Sequence, residues 1–194
     1  PAHHGGLILS GAVSLASASP ERFLEVGDGI VRTRPIKGTR PRGANPEEDA
    51  RRRDELLASA KDRAENVMIV DLLRNDLSRI CTPESVRVTQ LCGLENYQFV
   101  QHLVSVVEGE LEDGRSPLDL VRAAFPGGSI TGAPKVRAME IIAELEPSKR
   151  GIYAGAVGYL GFNGDMDVAI ALRTAVVKDN MLYAQAGAGI VADS

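Results

Sequence analysis

One helical block set between two groups of strand-like runs constrains the fold more than any other feature of this chain. Asn45 is placed as an N-cap, Pro46 suits the first helical position, and Glu47, Glu48 and Asp49 favour the positive end of the helix dipole. From there Leu56, Ala60, Ala64 and Val67 recur at helical spacing, and "MIVDLLRNDL" continues the helix to about Arg79. Before this block come "GGLIL", "AVSLASAS", "RFLEV" and "IVRTRPI", with a Gly27-Asp28-Gly29 hairpin signal between the last two. After it come "SVRVTQL" and the alternating "FVQHLVSVVEGEL". A short helix is predicted over 117–124. A second opens at Pro134 and runs to about Leu145, stopped by Pro147, with Val136, Met139, Ile142 and Leu145 as its apolar stripe.

The last stretch reads as a strand meander: "GIYAGAVGYLGF", an Asn163-Gly164 turn, "MDVAIALRTAVV", a Lys178-Asp179-Asn180 turn and "MLYAQAGAGIVA". In its middle strand Asp167, Ala169, Ala171, Arg173 and Ala175 are expected on one side. Such a face either leaves room above the sheet for an anion on the Arg173 fork or is an ordinary solvent-exposed face. Strands grouped apart from helices predict an α+β fold, mainly antiparallel sheets flanked by helices, in one domain over residues 1–194.

Composition excludes several function classes. No apolar run approaches the roughly 18 residues of a membrane span, and no targeting segment or glycosylation sequon is present. Cys81 and Cys92 are too few for a metal cluster and read as free thiols of a reducing cytoplasm, the expected localisation. The net charge of −4 hides a basic run: residues 31–53 hold eight Lys/Arg against three acids. No aromatics interleave there to stack bases, so nucleic acid is not the expected partner. A small anionic substrate, or plain solvation, fits better. The chain opens on Pro1 directly before a strand-like run and closes at Ser194 just after a glycine-rich turn, and it reads as a piece of something longer.

Six groups could carry chemistry. "AFPGGSITGAPKVRAMEI", residues 124–141, leads through Ser129, Thr131 and Gly132 to a helix N-terminus, where free N–H groups favour an anion; a capped helix after a tight turn is the plainer reading. "AQAGAGIV" exposes backbone at Gly187 and Gly189 but precedes no helix, so a dinucleotide fingerprint fails. Asp62 and Glu65, at i and i+3, could hold Mg²⁺ or form a solvated helix face. His102 sits among apolar residues as a core histidine would, and Glu21 follows a proline at a strand edge. Lys37, in "RPIKGTRPRG", would be neutral in about one molecule in 2,500 at pH 7 if unperturbed. Burial and cations such as Arg34 or Arg40 would raise that fraction, whereas a carboxylate would lower it.

Taken together, "SASPERF", "PIKGTRPRG", "AKDRAENVMIVDLLRND", "QHLVSVV", "FPGGSITGAPKVRAMEIIAELEP", "GIYAGAVGYL", "AIALRT" and "QAGAGIVADS", in this order, resemble the catalytic C-terminal part of the chorismate-utilising enzymes. The resemblance implies a reaction on chorismate with Mg²⁺ as cofactor. It implies Glu65 as metal ligand with Asp62 assisting, Tyr153, Arg173, Gly187 and Gly189 on the enolpyruvyl side, and Thr131 with Gly132 in the turn at the ring. It further implies His102 near the ring hydroxyl and Glu21 as the acid that helps the hydroxyl leave.

Lys37 separates the branches. "PIKGT" resembles the aminodeoxychorismate synthase branch, in which the lysine adds covalently to the ring before ammonia displaces it; the anthranilate synthase branch carries alanine there. The expected activity is amination of chorismate to 4-amino-4-deoxychorismate, with ammonia from a glutamine amidotransferase subunit. An anthranilate synthase large subunit and a non-catalytic chorismate-binding fragment are the alternatives. Relative to such enzymes this chain is expected to lack an N-terminal half and a final metal-binding helix, and to be inactive alone.

Overall fold

A computed structural model describes residues 4–191, so Pro1 and the closing "ADS" of the last motif lie outside the described residues. Its architecture is α+β. The strands are β1 (His4–Ser10), β2 (Val13–Ser19), β3 (Arg22–Gly27), β4 (Ile30–Thr33), β5 (Ile36–Pro41), β6 (Arg87–Asn96), β7 (Val100–Glu110), β8 (Ala156–Leu160), β9 (Met166–Ile170), β10 (Thr174–Lys178) and β11 (Met181–Ala184). The helices are α1 (Pro46–Ala58), α2 (Ala60–Ser78), α3 (Pro117–Ala124), α4 (Gly128–Thr131) and α5 (Lys135–Leu145).

Every strand pairing is antiparallel. One sheet runs β1-β2-β10-β11, and a seven-stranded sheet holds the rest. In the larger sheet β6 pairs along one edge of β7, while β4 and β5 follow one another along the other edge: Val107 faces both Val88 and Thr33, and His102 faces both Glu95 and Thr39. The chain passes between the sheets twice, from β2 to β3 and from β9 to β10.

The second crossing corrects the expected meander. "MDVAIALRTAVV" is not one strand: β9 ends at Ile170 in the large sheet, and β10 starts at Thr174 in the small one. Arg173 lies in the bend between them, exposed and at φ 48, so the alanine-lined face carrying an arginine does not exist as a continuous surface. Strand alternation holds only while the chain remains in one sheet.

The helical block also divides. Ser59 interrupts it, extended at φ −68 and ψ 103, and its hydroxyl accepts from the Asp62 amide at 3.2 Å. Serine competes for backbone donors in this way, and so caps helices more readily than it continues them. Asn45 caps α1 and accepts from the Glu48 amide at 2.9 Å.

Helix α2 buries Asn66, Ile69, Val70, Leu73, Asp76 and Leu77, one face at three- and four-residue spacing, against the large sheet. The core there includes Phe23, Leu24, Val31, Val107, Leu120 and Ile170. Buried Asn66 stitches the layers: its amide donates to the Leu103 carbonyl at 3.2 Å and its oxygen accepts from the Ser105 hydroxyl, which accepts from the Cys92 amide at 2.8 Å. Among the described residues, no helix is long and apolar enough to cross a membrane.

Candidate active site

The basic run resolves into pairs. Arg32 meets Glu25 and Glu108, Arg34 meets Glu95, Arg40 meets Asp62, Arg42 meets Asp49, Arg51 meets Glu55, Arg52 meets Glu48 and Arg53 meets Asp54. Of the eight cations, only Lys37 forms no ion pair among the described residues. Its ammonium instead donates to the main-chain carbonyl of Ser129 in α4, at 3.1 Å.

A β-bulge aims Lys37. The register of β5 on β7 shifts between Ile36 and Thr39, with Gly38 at φ 88, a conformation glycine adopts freely. The extra residue lets Ile36 and Thr39 line one cavity while Lys37, between them, lines another. Gly38 also packs tightly beneath α2, since a Cβ there would sit 2.9 Å from the Asp62 Cβ. The glycine after Lys37 thus serves geometry, allowing both the turn and the close approach.

The Lys37 cavity, of about 660 Å³, is lined by Glu21, Lys37, Ser129, Ile130, Arg150, Tyr153 and the segment Ala184–Gly189, among others. Glu21 is buried, and burial raises its carboxyl above the ordinary glutamate range against the opposing pull of Lys37, the Ser129 hydroxyl and the Ile36 backbone. A carboxyl raised by burial holds its proton to higher pH, which suits a proton donor. Gly187 lies close over Tyr153, where a Cβ would meet the phenol oxygen at 3.1 Å.

A second cavity, of about 880 Å³, takes His102 and Arg173 with Pro20, Arg22, Arg34, Ile36 and Thr39, among others. His102 Nδ1 and the Thr39 hydroxyl are 2.8 Å apart, and the Tyr97 ring meets the imidazole edge-on at 5.3 Å. Successive residues of extended chain point to opposite sides. Pro20 and Arg22 therefore serve this cavity while Glu21 serves the other, and Ile36 and Lys37 divide likewise.

The structure thus brings Lys37, Glu21, Tyr153, Gly187 and Gly189 together and sets His102 and Arg173 apart from them. Thr131 and Gly132 line neither cavity. The Thr131 hydroxyl donates to the Gly127 carbonyl at 3.2 Å, and the Gly132 amide is already bonded to Gly128, so it is not available to an anion. Asp62 and Glu65 are half-buried, one turn apart on α2, and line neither cavity. Two carboxylates fit Mg²⁺ as a partial donor set, since that ion commonly fills its shell with substrate and water. Asp62 is engaged with Arg40 at 3.2 Å, and no group of three His, Cys, Asp or Glu among the described residues is placed to hold a metal.

Two cavity residues carried no sequence signal strong enough to single them out. Ser129 lay inside the glycine-rich motif without a role of its own. Arg150 pairs with Glu146 at 2.6 Å, donates to the Ile130 carbonyl at 3.2 Å and lies 6.0 Å from the Tyr153 ring centroid. Its spacing of four from Glu146 resembled any surface pair.

Comparison with known proteins places the arrangement in context. The family of chorismate binding enzymes matches residues 1–194. Anthranilate synthase component 1 of Streptomyces coelicolor is 55% identical over 97% of this chain and 37% of its own length. Aminodeoxychorismate synthase component 1 of Klebsiella aerogenes is 56% identical over 93% of this chain and 40% of its own. The crystal structure of anthranilate synthase component I from Streptococcus pneumoniae superposes with a TM-score of 0.90 at 45% identity, covering 100% of this chain and 42% of that one. The chain therefore spans well under half the length of these relatives.

Proposed function

The chain belongs to the chorismate-binding enzyme family, and from that premise we propose that it carries the reaction centre for amination of chorismate to 4-amino-4-deoxychorismate. The observation that supports this choice is Lys37, the unpaired cation of the basic run, held at 3.1 Å on the Ser129 carbonyl in one cavity with buried Glu21. Glu21 delivers its proton to the departing C4 hydroxyl, which leaves as water. The deprotonated Lys37 amine adds to ring C2 as both conjugated ring double bonds shift and the C4–O bond breaks. Ammonia then forms the new bond at C4, both double bonds shift back, and Lys37 leaves as the free amine. Two easier displacements replace one hard one.

Tyr153 and the Gly187–Gly189 backbone are the groups of this cavity suited to the enolpyruvyl carboxylate. Mg²⁺, with Glu65 and Asp62 as its protein ligands, would supply positive charge for the ring carboxylate. Neither cysteine suits glutamine hydrolysis, because Cys81 and Cys92 are both buried, and burial pushes the Cys81 thiol up to about 11. Ammonia therefore comes from a separate glutamine amidotransferase subunit in this reading, and the "component 1" in the relatives' names supports a partner.

A second reading is anthranilate formation, favoured by relatives of that name at 55% identity. Product analysis decides. Incubation of the intact protein with chorismate, ammonium and Mg²⁺ should yield aminodeoxychorismate, and anthranilate as the main product would reject the proposal.

A further inference from the structure

The Ser129 side-chain oxygen is sealed from solvent and makes no hydrogen bond. One other buried side-chain atom shares this condition among the described residues, Gln101 Oε1, and its amide is engaged with Asp49 at 2.9 Å. A buried, unsatisfied hydroxyl costs about 1–3 kcal/mol, and native structures keep few of them. The Ser129 hydroxyl needs an explanation, and its neighbours provide one. Ser129 lines the same cavity as Glu21, while the carbonyl of the same residue holds Lys37.

We propose that Ser129, through its hydroxyl and not its carbonyl, is the positioning residue of Glu21. The inference rests on the reading of Glu21 as proton donor given above. A hydroxyl that engages one carboxyl oxygen leaves the second, protonated oxygen free to face the cavity and the leaving group. Backbone fixes where the hydroxyl sits, since α4 is closed by bonds from Ile130 and Thr131 to the Gly127 carbonyl, at 3.1 and 3.2 Å, and from Gly132 to Gly128 at 2.8 Å. The other ionisable groups around the same cavity are Lys37 on β5 and, across it, Glu146, Arg150 and Tyr153. Glu146 and Arg150 neutralise one another. The carbonyl and hydroxyl functions separate cleanly, because Ser129→Ala deletes the hydroxyl and leaves the Lys37 bond in place.

The test uses the intact protein, Ser129→Ala and Ser129→Thr, with two readouts. Carbon-13 NMR of the Glu21 carboxyl, without substrate, should show it titrating at higher pH in Ser129→Ala and near the parent value in Ser129→Thr, which keeps a hydroxyl. Steady-state kinetics should show kcat falling about tenfold in Ser129→Ala with KM little changed. The alkaline limb of the pH profile should move upward with the carboxyl. A Glu21 titration unmoved in Ser129→Ala, or moved equally in Ser129→Thr, overturns the proposal. If the titration moves as expected while the product is anthranilate, the coupling of Ser129 to Glu21 stands and the assigned reaction falls.

Discussion

Lys37 donates its ammonium to the main-chain carbonyl of Ser129 at 3.1 Å, although seven neighbouring cations in the basic run are each matched to a carboxylate. The carbonyl fixes the direction of the amine within the cavity it shares with Glu21. A nucleophilic lysine requires such placement at the reacting centre.

Lys37→Ala should abolish chorismate amination while shifting the thermal midpoint little, because the side chain is half-buried at a cavity wall. Chromatography of products and a melting curve measure the two effects. Retained amination would remove Lys37 from the mechanism.

Glu21 carries a pH signature with a definite sign. Burial raises its carboxyl, so the folded chain holds this proton more tightly than the unfolded one. The stability linked to it is complete below the ordinary glutamate value of about 4.3 and is lost as pH rises through the higher folded value. Glu21→Gln removes the linkage. Urea midpoints should show the variant gaining on the parent as pH climbs from about 4, with activity down about a hundredfold or more. A constant difference across pH contradicts the buried-acid assignment.

Gly38→Ala places a side chain where φ is 88 and the Asp62 Cβ stands 2.9 Å away. The expected cost is about 1–3 kcal/mol in urea unfolding, with a fall in activity as Lys37 is turned from its cavity. Ala at the exposed position Arg53 on α1 has no such backbone conflict and provides the control.

Asp49 fastens α1 to the end of β5. It accepts from Arg42 through both oxygens at 2.7 Å, from the Gly43 amide at 2.8 Å and from Gln101 at 2.9 Å, and these donors hold its carboxyl well below the usual range. The contribution is present above the ordinary aspartate value near 3.9 and lost as pH falls below it. Asp49→Asn should therefore lower stability at neutral pH, with the gap to the parent narrowing in acid, as followed by circular dichroism.

Lys135 and Asp76 form an enclosed ion pair, 2.6 Å apart with side chains 14% and 4% exposed, and Lys135 also reaches the Ala124 carbonyl at 2.7 Å. Burial raises the Asp76 carboxyl despite the Lys135 contacts that lower it. Removing one partner strands the other, so Lys135→Met should cost about 3–5 kcal/mol. A double variant with Asp76→Leu should recover part of that loss, and a double-mutant cycle of urea unfolding measures the coupling. Simple additivity would refute it.

Sequence alone determined the α+β class, because period-two runs and a helical block stay segregated along the chain whatever packs on them. It also singled out "PIKGT" and "FPGGSITG", since few motifs need a glycine at those offsets, and the Asn45 cap, which is local chemistry. It could not show that β9 and β10 enter different sheets. Alternation looks identical on both sides of a crossing, so Arg173 was read onto a face that the bend removes. Nor could it show that Ile36 and Lys37 open to different cavities, or that Ser129 holds Lys37 in the cavity that Glu21 shares. Such relationships join residues far apart in the chain, and only burial and the bulge at Gly38 bring them into register.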